Sequence, residues 1–234
     1  MKVGIMQPYL FPYIGYFQLI NAVDTFVIHD DVQYIKSGWI NRNRFLLNGK
    51  EYLFTFSVKK NAFIRFINQR YYSDKFEMEK GKFLRVLKQA YSKAPFYSKI
   101  FSLTREILSH KDLNVSSLNL FGIKKFCEYL GISTPMVLSS ELKKNCSLRN
   151  EARVIGINRV LKATHYINPV GGINLYSKEL FSKNGLKLLF LKSSEIKYEQ
   201  FNDAYLPGLS IVDVCMFNKI DDIQAFLNQY ELKS

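Results

Sequence analysis

Short apolar runs alternate with helical segments in this chain, and this alternation constrains the fold more than any other feature. Lys2–Met6 reads as a buried strand, residues 15–23 have helical periodicity, and Thr25–His29 is a second apolar run. The same alternation returns later, with apolar runs at 135–139, 164–168 and 186–191. It predicts an α/β fold with a mostly parallel sheet and helices on both faces.

The middle of the chain breaks this alternation. Tyr52–Val58 alternates weakly and predicts one more strand. Apolar residues between 76 and 131 then follow a helical period, which ends at Gly131 as a C-cap would. No repeat or Pro/Gly-rich linker divides the 234 residues. We therefore expect a single α/β domain over residues 1–234, with residues 76–131 as a helical insertion or lid.

Composition disfavours several classes of protein. The three cysteines lack CxxC spacing, which argues against a disulfide framework and a zinc site, and we predict no metal. No run approaches the roughly 20 apolar residues of a membrane span. The first residues are too few for a signal-peptide core. We expect a cytoplasmic bacterial enzyme without a transmembrane segment.

Positive charge is concentrated near the N-terminal end. The formal net charge is +13, and residues 36–70 contain one acid, Glu51, among many lysines and arginines. Aromatic residues interleave with these cations, a pattern that suits a phosphate-bearing ligand such as a nucleotide sugar, RNA or an acidic protein. The alternative is a solvated basic surface.

The turn after the first strand, read as MQPYLFPYIGYF, is the first candidate site. In open parallel sheets, ligands bind outside the carboxyl ends of the strands, where the strand order reverses. Pro8 stiffens this turn, and Gly15 lets the next helix begin close to a ligand. Tyr9, Tyr13 and Tyr16 offer flat faces with a polar tip, which suit bases and sugars. The alternative is that these rings pack the strand against its helix.

Two adjacent carboxylates follow the second strand in the segment HDDVQY. Asp30 and Asp31 can hold a metal ion, orient hydroxyls or act as a general base. Equally, they can cap a turn and pair with Arg42 or Arg44. His29 alone is more typical of a half-buried histidine than of a catalyst. We expect these carboxylates and the tyrosines to meet on one concave surface at the same edge of the sheet.

The only tryptophan, Trp39, stands close to asparagines and arginines and predicts a platform for stacking and hydrogen bonding. A pair of glycines after a later apolar run is a weaker candidate for a ligand cradle. The candidate catalytic residues are Asp30, Asp31, Tyr13, Tyr16 and His29. The candidate substrate-binding residues are Gln7, Pro8, Tyr9, Gly15, Tyr34, Lys36, Trp39, Asn41, Arg42, Asn43, Arg44, Gly171, Gly172 and Tyr176.

Several segments together resemble the WbqC-like family of bacterial polysaccharide-cluster proteins. They are MQPYLFPYIGYFQLINAVDTFVIHDDVQYIKSGWINRNR at 6–44, YSKAPFY at 91–97, NLFGIKKFCEYLGI at 119–132, SSEL at 139–142, THYINPVGGINLY at 164–176 and LPGLSIVDVCMFN at 206–218. The likeness spans nearly the whole chain. It implies a role in O-antigen or other lipopolysaccharide biosynthesis, in which members are suspected to be transferases that move glycine onto amino sugars.

The strand-loop-helix layout is also similar to the nucleotidyltransferases that resemble pantothenate synthetase. This likeness implies a Rossmann-like, nucleotidyltransferase/HUP-like fold, in which an HxGH motif opens the first helix and its histidines stabilise phosphate charge. The matching residues here are Tyr13-Ile14-Gly15-Tyr16. Tyrosine cannot be cationic at neutral pH, because its ordinary pKa is about 10. The resemblance therefore implies that the fold persists while the ATP chemistry is lost.

Together the two likenesses imply an aminoacyl, or more generally N-acyl, transferase that acts on the amino group of a dTDP- or UDP-linked amino sugar. A chain that does not adenylate glycine needs a pre-activated donor, either aminoacyl-tRNA or a carrier-protein thioester, although direct use of ATP stays an alternative. Either donor is acidic, so the basic stretch at residues 36–70 would bind it. Lys36, Arg42 and Arg44 would bind the diphosphate of the sugar nucleotide.

Asp30 or Asp31 would then act as the base, and Tyr13, Tyr16 or backbone amides near Gly15 would stabilise the oxyanion. Two alternative functions remain. The chain can be a non-catalytic sugar-nucleotide-binding protein. It can also be a glycosyltransferase of the same pathway, with a divalent metal on the twin aspartates.

Overall fold

Parallel strands form the centre of the molecule, as the alternation predicted. The computed structural model describes residues 1–61, 63, 65–201 and 204–234. The strands are β1 (Lys2–Met6), β2 (Thr25–Ile28), β3 (Arg42–Leu47), β4 (Lys50–Thr55), β5 (Met136–Leu138), β6 (His165–Pro169), β7 (Lys187–Ser193) and β8 (Tyr230–Lys233). The helices are α1 (Ile14–Asn21), α2 (Phe76–Tyr91), α3 (Tyr97–Ile107), α4 (Val115–Leu130), α5 (Asn150–Val160), α6 (Lys178–Lys183), α7 (Ile211–Phe217) and α8 (Ile220–Leu227). Among the described residues, no helix combines the length and the apolar character needed to cross a membrane.

The order of the strands defines where a ligand would sit. One sheet has the order β5-β2-β1-β6-β7-β8, and its neighbours are parallel except for the antiparallel pair β7 and β8. The chain steps outward from β1 to β2 and β5, then returns across the sheet through α5 to β6. Strand order therefore reverses between β1 and β6, where Rossmann-type sheets bind their ligands. This topology confirms the predicted Rossmann-like fold.

Hydrophobic clusters cover both faces of the sheet. On one face, Ile157 of α5 and Phe181 of α6 are fully buried in a cluster with Tyr166 of β6. On the other face, Phe17 of α1 and Phe126 of α4 belong to a larger cluster that also includes α8. Helices on both faces are what a mostly parallel sheet requires, because both of its surfaces are apolar.

The chain between β2 and β5 adds the antiparallel hairpin β3–β4 and the helices α2, α3 and α4. The ring of Phe11, in the turn between β1 and α1, lies 6.0 Å from that of Phe83 in α2 and 6.1 Å from that of Phe126 in α4, measured between centroids. The helical block therefore shares the larger cluster with the sheet. Gly131 ends α4 in the left-handed conformation, as its C-cap role predicted. A lid function for residues 76–131 stays a prediction.

Candidate functional site

The turn between β1 and α1 is held in one unusual backbone conformation. Phe11 has a φ of +47°, in the left-handed region that a bulky residue rarely adopts. Its carbonyl accepts hydrogen bonds from Asn43 Nδ2 at 2.7 Å and from Ser210 Oγ at 2.8 Å, and its ring is buried. Such strain costs about 1–3 kcal/mol and persists only where the surroundings enforce it. The core and two distant segments thus fix the shape of this turn.

Gly15 decides where the Tyr13 ring lies. A Cβ at Gly15 would stand 2.3 Å from Cε2 of Tyr13, so the ring can lie against the first turn of α1 only because this residue is glycine. Tyr16, one helical turn later, is fully buried and donates its hydroxyl to the Gln7 carbonyl at 2.9 Å. Of the tyrosines at the start of α1, Tyr13 is partly exposed and Tyr16 belongs to the core.

Tyr13 is part of a small cavity that we call the aromatic pocket. Its volume is about 260 Å³. This is below the roughly 300–1,000 Å³ of pockets that enclose drug-sized ligands. The aromatic pocket therefore suits one ring, such as a nucleobase or a sugar, better than a whole nucleotide sugar. Its lining residues are Tyr9, Tyr13, Trp39, Asn43, Arg44 and Gly208.

Cations and neutral hydroxyls give the aromatic pocket its polarity. The guanidinium carbons of Arg42 and Arg44 lie 5.6 Å and 5.8 Å from the centroid of the Trp39 ring. Arg44 also pairs with Glu51 at 2.8 Å, which neutralises part of its charge. Burial raises the pKa of Tyr13 above its ordinary value. Its hydroxyl is therefore a neutral hydrogen-bond donor at physiological pH.

Three of the predicted ligand-binding residues instead hold the backbone in place. Asn43 lines the aromatic pocket, but its amide nitrogen donates to the carbonyls of the β1–α1 turn. Asn41 donates to the Phe56 carbonyl at 2.7 Å and accepts from the Tyr34 hydroxyl at 2.8 Å. Pro8 is buried, and its carbonyl accepts from Asn119. Asn43, Asn41 and Pro8 therefore position the loops around the aromatic pocket.

Asp30 ties three segments together. Its carboxylate accepts from the Ser140 amide at 2.9 Å, the Ser140 hydroxyl at 2.6 Å and the Asn68 amide nitrogen at 3.2 Å. The residue is almost fully buried. It borders a groove of about 430 Å³ next to α4, which we call the insertion groove. Because its oxygens already accept from these donors, the Asp30 carboxylate joins the three segments.

Asp31 points to different partners, although it is the next residue. Its Oδ2 lies 2.7 Å from Lys144 Nζ and 2.6 Å from Arg153 Nη2, and all three side chains are largely buried. Arg153 also donates to the Asp31 carbonyl at 3.0 Å, and Lys144 donates to the Ser139 carbonyl. We call His29, Asp31, Ser139, Lys144 and Arg153 the charge cluster.

Protonation within the charge cluster follows from burial and charge. Burial lowers the pKa of His29 to about 4; the Asp31 carboxylate opposes this shift, whereas Arg153 and Lys144 add to it. His29 is therefore neutral at physiological pH. Burial alone would raise the pKa of the Asp31 carboxyl, but its hydrogen bonds with Lys144 and Ser139 and the charge of Arg153 outweigh burial and lower the pKa. Asp31 stays ionised and is a weak base.

The tyrosines and aspartates share an edge of the sheet but not a cavity. Their turns follow the neighbouring strands β1 and β2, so both lie at the carboxyl edge. The described residues that line the aromatic pocket and the insertion groove have none in common. Asp30 and Asp31 turn to separate partners, so their adjacency does not create a shared ion site. Nowhere in the described part of the chain do three or more His, Cys, Asp or Glu side chains form a metal-binding group.

The loop after β6 carries the remaining candidates. Gly172 makes room for Asn168, whose amide nitrogen would stand 2.0 Å from a Cβ at that position. Gly171 has open space around it. Tyr176 packs its ring on Tyr166 at 5.6 Å. The described residues of this loop do not line the aromatic pocket, although the loop borders the point where strand order reverses.

Some residues of these sites had no signal in the sequence. Lys144 and Arg153 stand far from the aspartates along the chain and belong to no recognisable motif, whereas Ser139 opens the segment SSEL, one of those that carried the family resemblance. Gly208 lies in the segment LPGLS, one of the segments that carried the family resemblance, and that segment was the available clue. Lys36, expected at a diphosphate, is exposed.

The sheet order and a pocket outside the carboxyl end of β1 define a Rossmann-like α/β protein. The model of the WbqC-like protein family matches residues 7–225, and the chain belongs to this family. The chain is also similar to the uncharacterized protein Rv1507c of Mycobacterium tuberculosis (strain ATCC 25618 / H37Rv), with 29% identity over 219 residues that cover 93% of each chain. No solved structure matches the chain.

Proposed function

We propose that this chain is an aminoacyl transferase that moves a glycyl group onto the amino group of a dTDP- or UDP-linked amino sugar during surface-polysaccharide biosynthesis. Membership of the WbqC-like family is consistent with an enzyme. The observation that carries the proposal is the aromatic pocket, which places Tyr9, Tyr13 and Trp39 around about 260 Å³ beside Arg44. Stacking of a base on an aromatic side chain contributes about 1–3 kcal/mol.

The transfer step requires the sugar amine to lie next to the carbonyl carbon and a donor to stabilise the oxyanion. The sugar amine attacks the carbonyl carbon, a C–N bond forms, and the C–O bond of an aminoacyl ester or the C–S bond of a thioester breaks. We assign the Tyr13 hydroxyl as a donor to the oxyanion, an interaction worth roughly 3–4 kcal/mol. The amine proton passes to the oxygen or sulfur of the leaving group, so the transfer balances without a basic side chain. Asp31 and His29 are not among the described residues that line the aromatic pocket.

The buried position of Tyr16 supports a donor that is already activated. An adenylating site needs cationic stabilisation of the transferring phosphate. The HxGH-like segment offers only the neutral hydroxyl of Tyr13 to the pocket, since Tyr16 bonds to Gln7 in the core. Aminoacyl-tRNA and a carrier-protein thioester are therefore the donors that we propose, and the basic stretch 36–70 is the surface for either one.

A second candidate function is binding without catalysis. It is favoured by the contacts of Asp30, whose carboxylate already accepts three hydrogen bonds, and by the two cations on Asp31 Oδ2. These contacts occupy both carboxylates with partners from the protein itself. In this case the aromatic pocket would hold the base or the sugar ring of a nucleotide sugar for another enzyme of the same pathway.

An assay with separate donors distinguishes these functions. The purified chain is incubated with a dTDP- or UDP-linked amino sugar and labelled glycine, supplied as glycyl-tRNA, as a glycyl carrier thioester, or free with ATP. We expect labelled glycyl-amide product in a pre-activated arm alone. Product from ATP and free glycine would refute the pre-activated donor. Saturable binding of the sugar nucleotide without product in any arm would replace the transferase with the binding function.

A matched pair of variants ties the assay to the pocket. Trp39→Ala removes an exposed ring of the aromatic pocket, whereas Phe63→Ala removes a ring that is 95% exposed and is not among the lining residues. We expect the first substitution to raise the KM for the sugar nucleotide about tenfold. The second should leave it unchanged.

A further inference from the structure

We infer that the charge cluster is an oxyanion site, built to bind a phosphate group at the carboxyl ends of β2 and β5. The inference does not depend on the transfer reaction. It rests on the balance of charge in the cluster and on hydrogen-bonding groups that its own residues leave unused.

The charge balance favours an anion. The side chains of Lys144 and Arg153 are 2% and 8% exposed, and that of Asp31, the acid that pairs with both, is 13% exposed. The neighbouring Asp30 carboxylate is directed to Ser140 and Asn68 instead. Two nearly buried cations thus share one carboxylate, and an uncompensated buried charge is costly. A bound anion supplies the missing charge.

The cluster also keeps donors free. In the described part of the chain, Arg153 Nε and His29 Nε2 are buried and have no hydrogen-bond partner. Lys144 has three N–H donors, of which Asp31 and the Ser139 carbonyl use two. Buried polar groups are normally bonded, so a set of this kind in one cluster points to a ligand.

Asp31 has a definite role in this site. Its Oδ2 lies within 2.7 Å of both cationic groups and holds them side by side. The carboxyl group also makes a hydrogen bond with the Ser139 side chain, which helps to hold it in place. Inorganic phosphate carries acceptor oxygens that match the free donors of Lys144 and Arg153.

The charge cluster lies at a position in the fold that is typical of phosphate-binding sites. His29 and Asp31 follow β2, Ser139 follows β5, and Arg153 lies on α5, the helix that crosses the sheet to β6. All lie at the carboxyl edge, where sheets of this type bind phosphorylated ligands. The phosphate can be free or part of a nucleotide, because both present the same oxygens.

The test measures binding of inorganic phosphate, with UDP as a parallel probe and chloride at matched ionic strength as the blank. Calorimetry and thermal unfolding are recorded for the full chain and for Lys144→Gln, which leaves Asp31 and Arg153 as a balanced pair. Lys183→Gln is the matched control, because Lys183 pairs with Glu179 on the surface outside the basic stretch. We expect saturable phosphate binding that Lys144→Gln weakens about tenfold or more and Lys183→Gln leaves unchanged.

The two phosphate sources give separate outcomes. Binding of UDP with the same dependence on Lys144 would assign the site to a nucleotide phosphate, and binding of inorganic phosphate alone would assign it to the free ion; both support the inference. Equal loss in Lys144→Gln and Lys183→Gln, or no effect of phosphate beyond chloride, would overturn it. Arg153→Gln is a second test, and a folded Arg153→Gln chain that binds phosphate normally would also overturn it.

Discussion

The turns after β1 and β2 differ in how their side chains find partners. After β1, Tyr9 and Tyr13 meet Trp39 and Arg44 in the aromatic pocket, within the first fifth of the chain. After β2, the Asp30 carboxylate bonds to Asn68 and Ser140, while that of Asp31 bonds to residues still further along the chain. Local sequence is therefore a better guide to an aromatic cavity than to the role of a carboxylate.

The comparison also separates binding from folding. The aromatic side chains of the aromatic pocket are partly exposed, so their loss should affect ligand binding more than stability. The aspartates are buried and bonded, so their loss should affect stability first. The predictions below test this division in order of expected effect.

Asp31→Ala should have the largest effect on the free energy of unfolding. It leaves Lys144 and Arg153 as buried cations without their carboxylate, which we expect to cost about 3–5 kcal/mol. Urea unfolding measures the loss. The double variant Asp31→Ala/Lys144→Met should recover part of it, because one unpaired charge is removed. A loss below about 1 kcal/mol, the range of a surface pair, would contradict the burial of this cluster.

Asp30→Ala should have the second largest effect on the free energy of unfolding. It leaves the Ser140 amide and hydroxyl and the Asn68 amide nitrogen without their acceptor, and we expect a loss of about 2–4 kcal/mol in urea unfolding. Asp74→Ala is the control, because its carboxylate is 92% exposed and pairs only at the surface. If the two variants were equally stable, Asp30 would not be a structural residue and would again be a candidate for catalysis.

Acid should destabilise the fold through His29. Its pKa falls from 6.5 to about 4 on folding, so the stability it contributes is present above pH 6.5 and is lost as pH falls through about 4. The expected loss is about 2–3 kcal/mol between pH 7 and pH 4. His29→Gln should flatten this part of the stability profile measured by urea unfolding. An unchanged profile in His29→Gln would show that the imidazole is solvated.

Gly15→Ala should have the smallest effect on stability. Alanine favours a helix by up to about 1 kcal/mol over glycine, which offsets the displacement of the Tyr13 ring. Ligand binding should nevertheless weaken, because the ring can no longer lie where it borders the aromatic pocket. Thermal unfolding and a binding titration on the same sample separate the two effects. A variant that binds as well as the parent would show that Tyr13 does not shape the pocket.

Much of the fold could be predicted from the sequence, because periodicity is a local property. The apolar runs from Lys2–Met6 to 186–191 each lie close to a strand, and Gly131 ends its helix as predicted. The strand Arg42–Leu47 was not predicted. Its first three residues are all polar, so the sequence shows no alternation of apolar and polar residues there. The Asn48-Gly49 turn, with both residues at positive φ, was the signal that marks this hairpin.

The candidate site was less predictable, for a physical reason. Tyr13 and Tyr16 look equivalent in the sequence, but only Tyr13 lies against Gly15, while Tyr16 turns into the core. Asp30 and Asp31 also look equivalent, yet their environments depend on Ser140 and Lys144, which only the folded chain brings near. Contacts between distant segments cannot be derived from spacing in one sequence.

The fluorescence of Trp39 provides the most direct test of the aromatic pocket as the nucleotide-sugar site, because it is the only tryptophan. UDP-glucosamine is titrated into the native chain and into Tyr13→Ala, with emission recorded at each step. We predict a saturable change in the native chain and binding weakened about tenfold in the variant. Emission that does not respond in the native chain, or that saturates identically in both, would contradict a ligand site in the turn after β1.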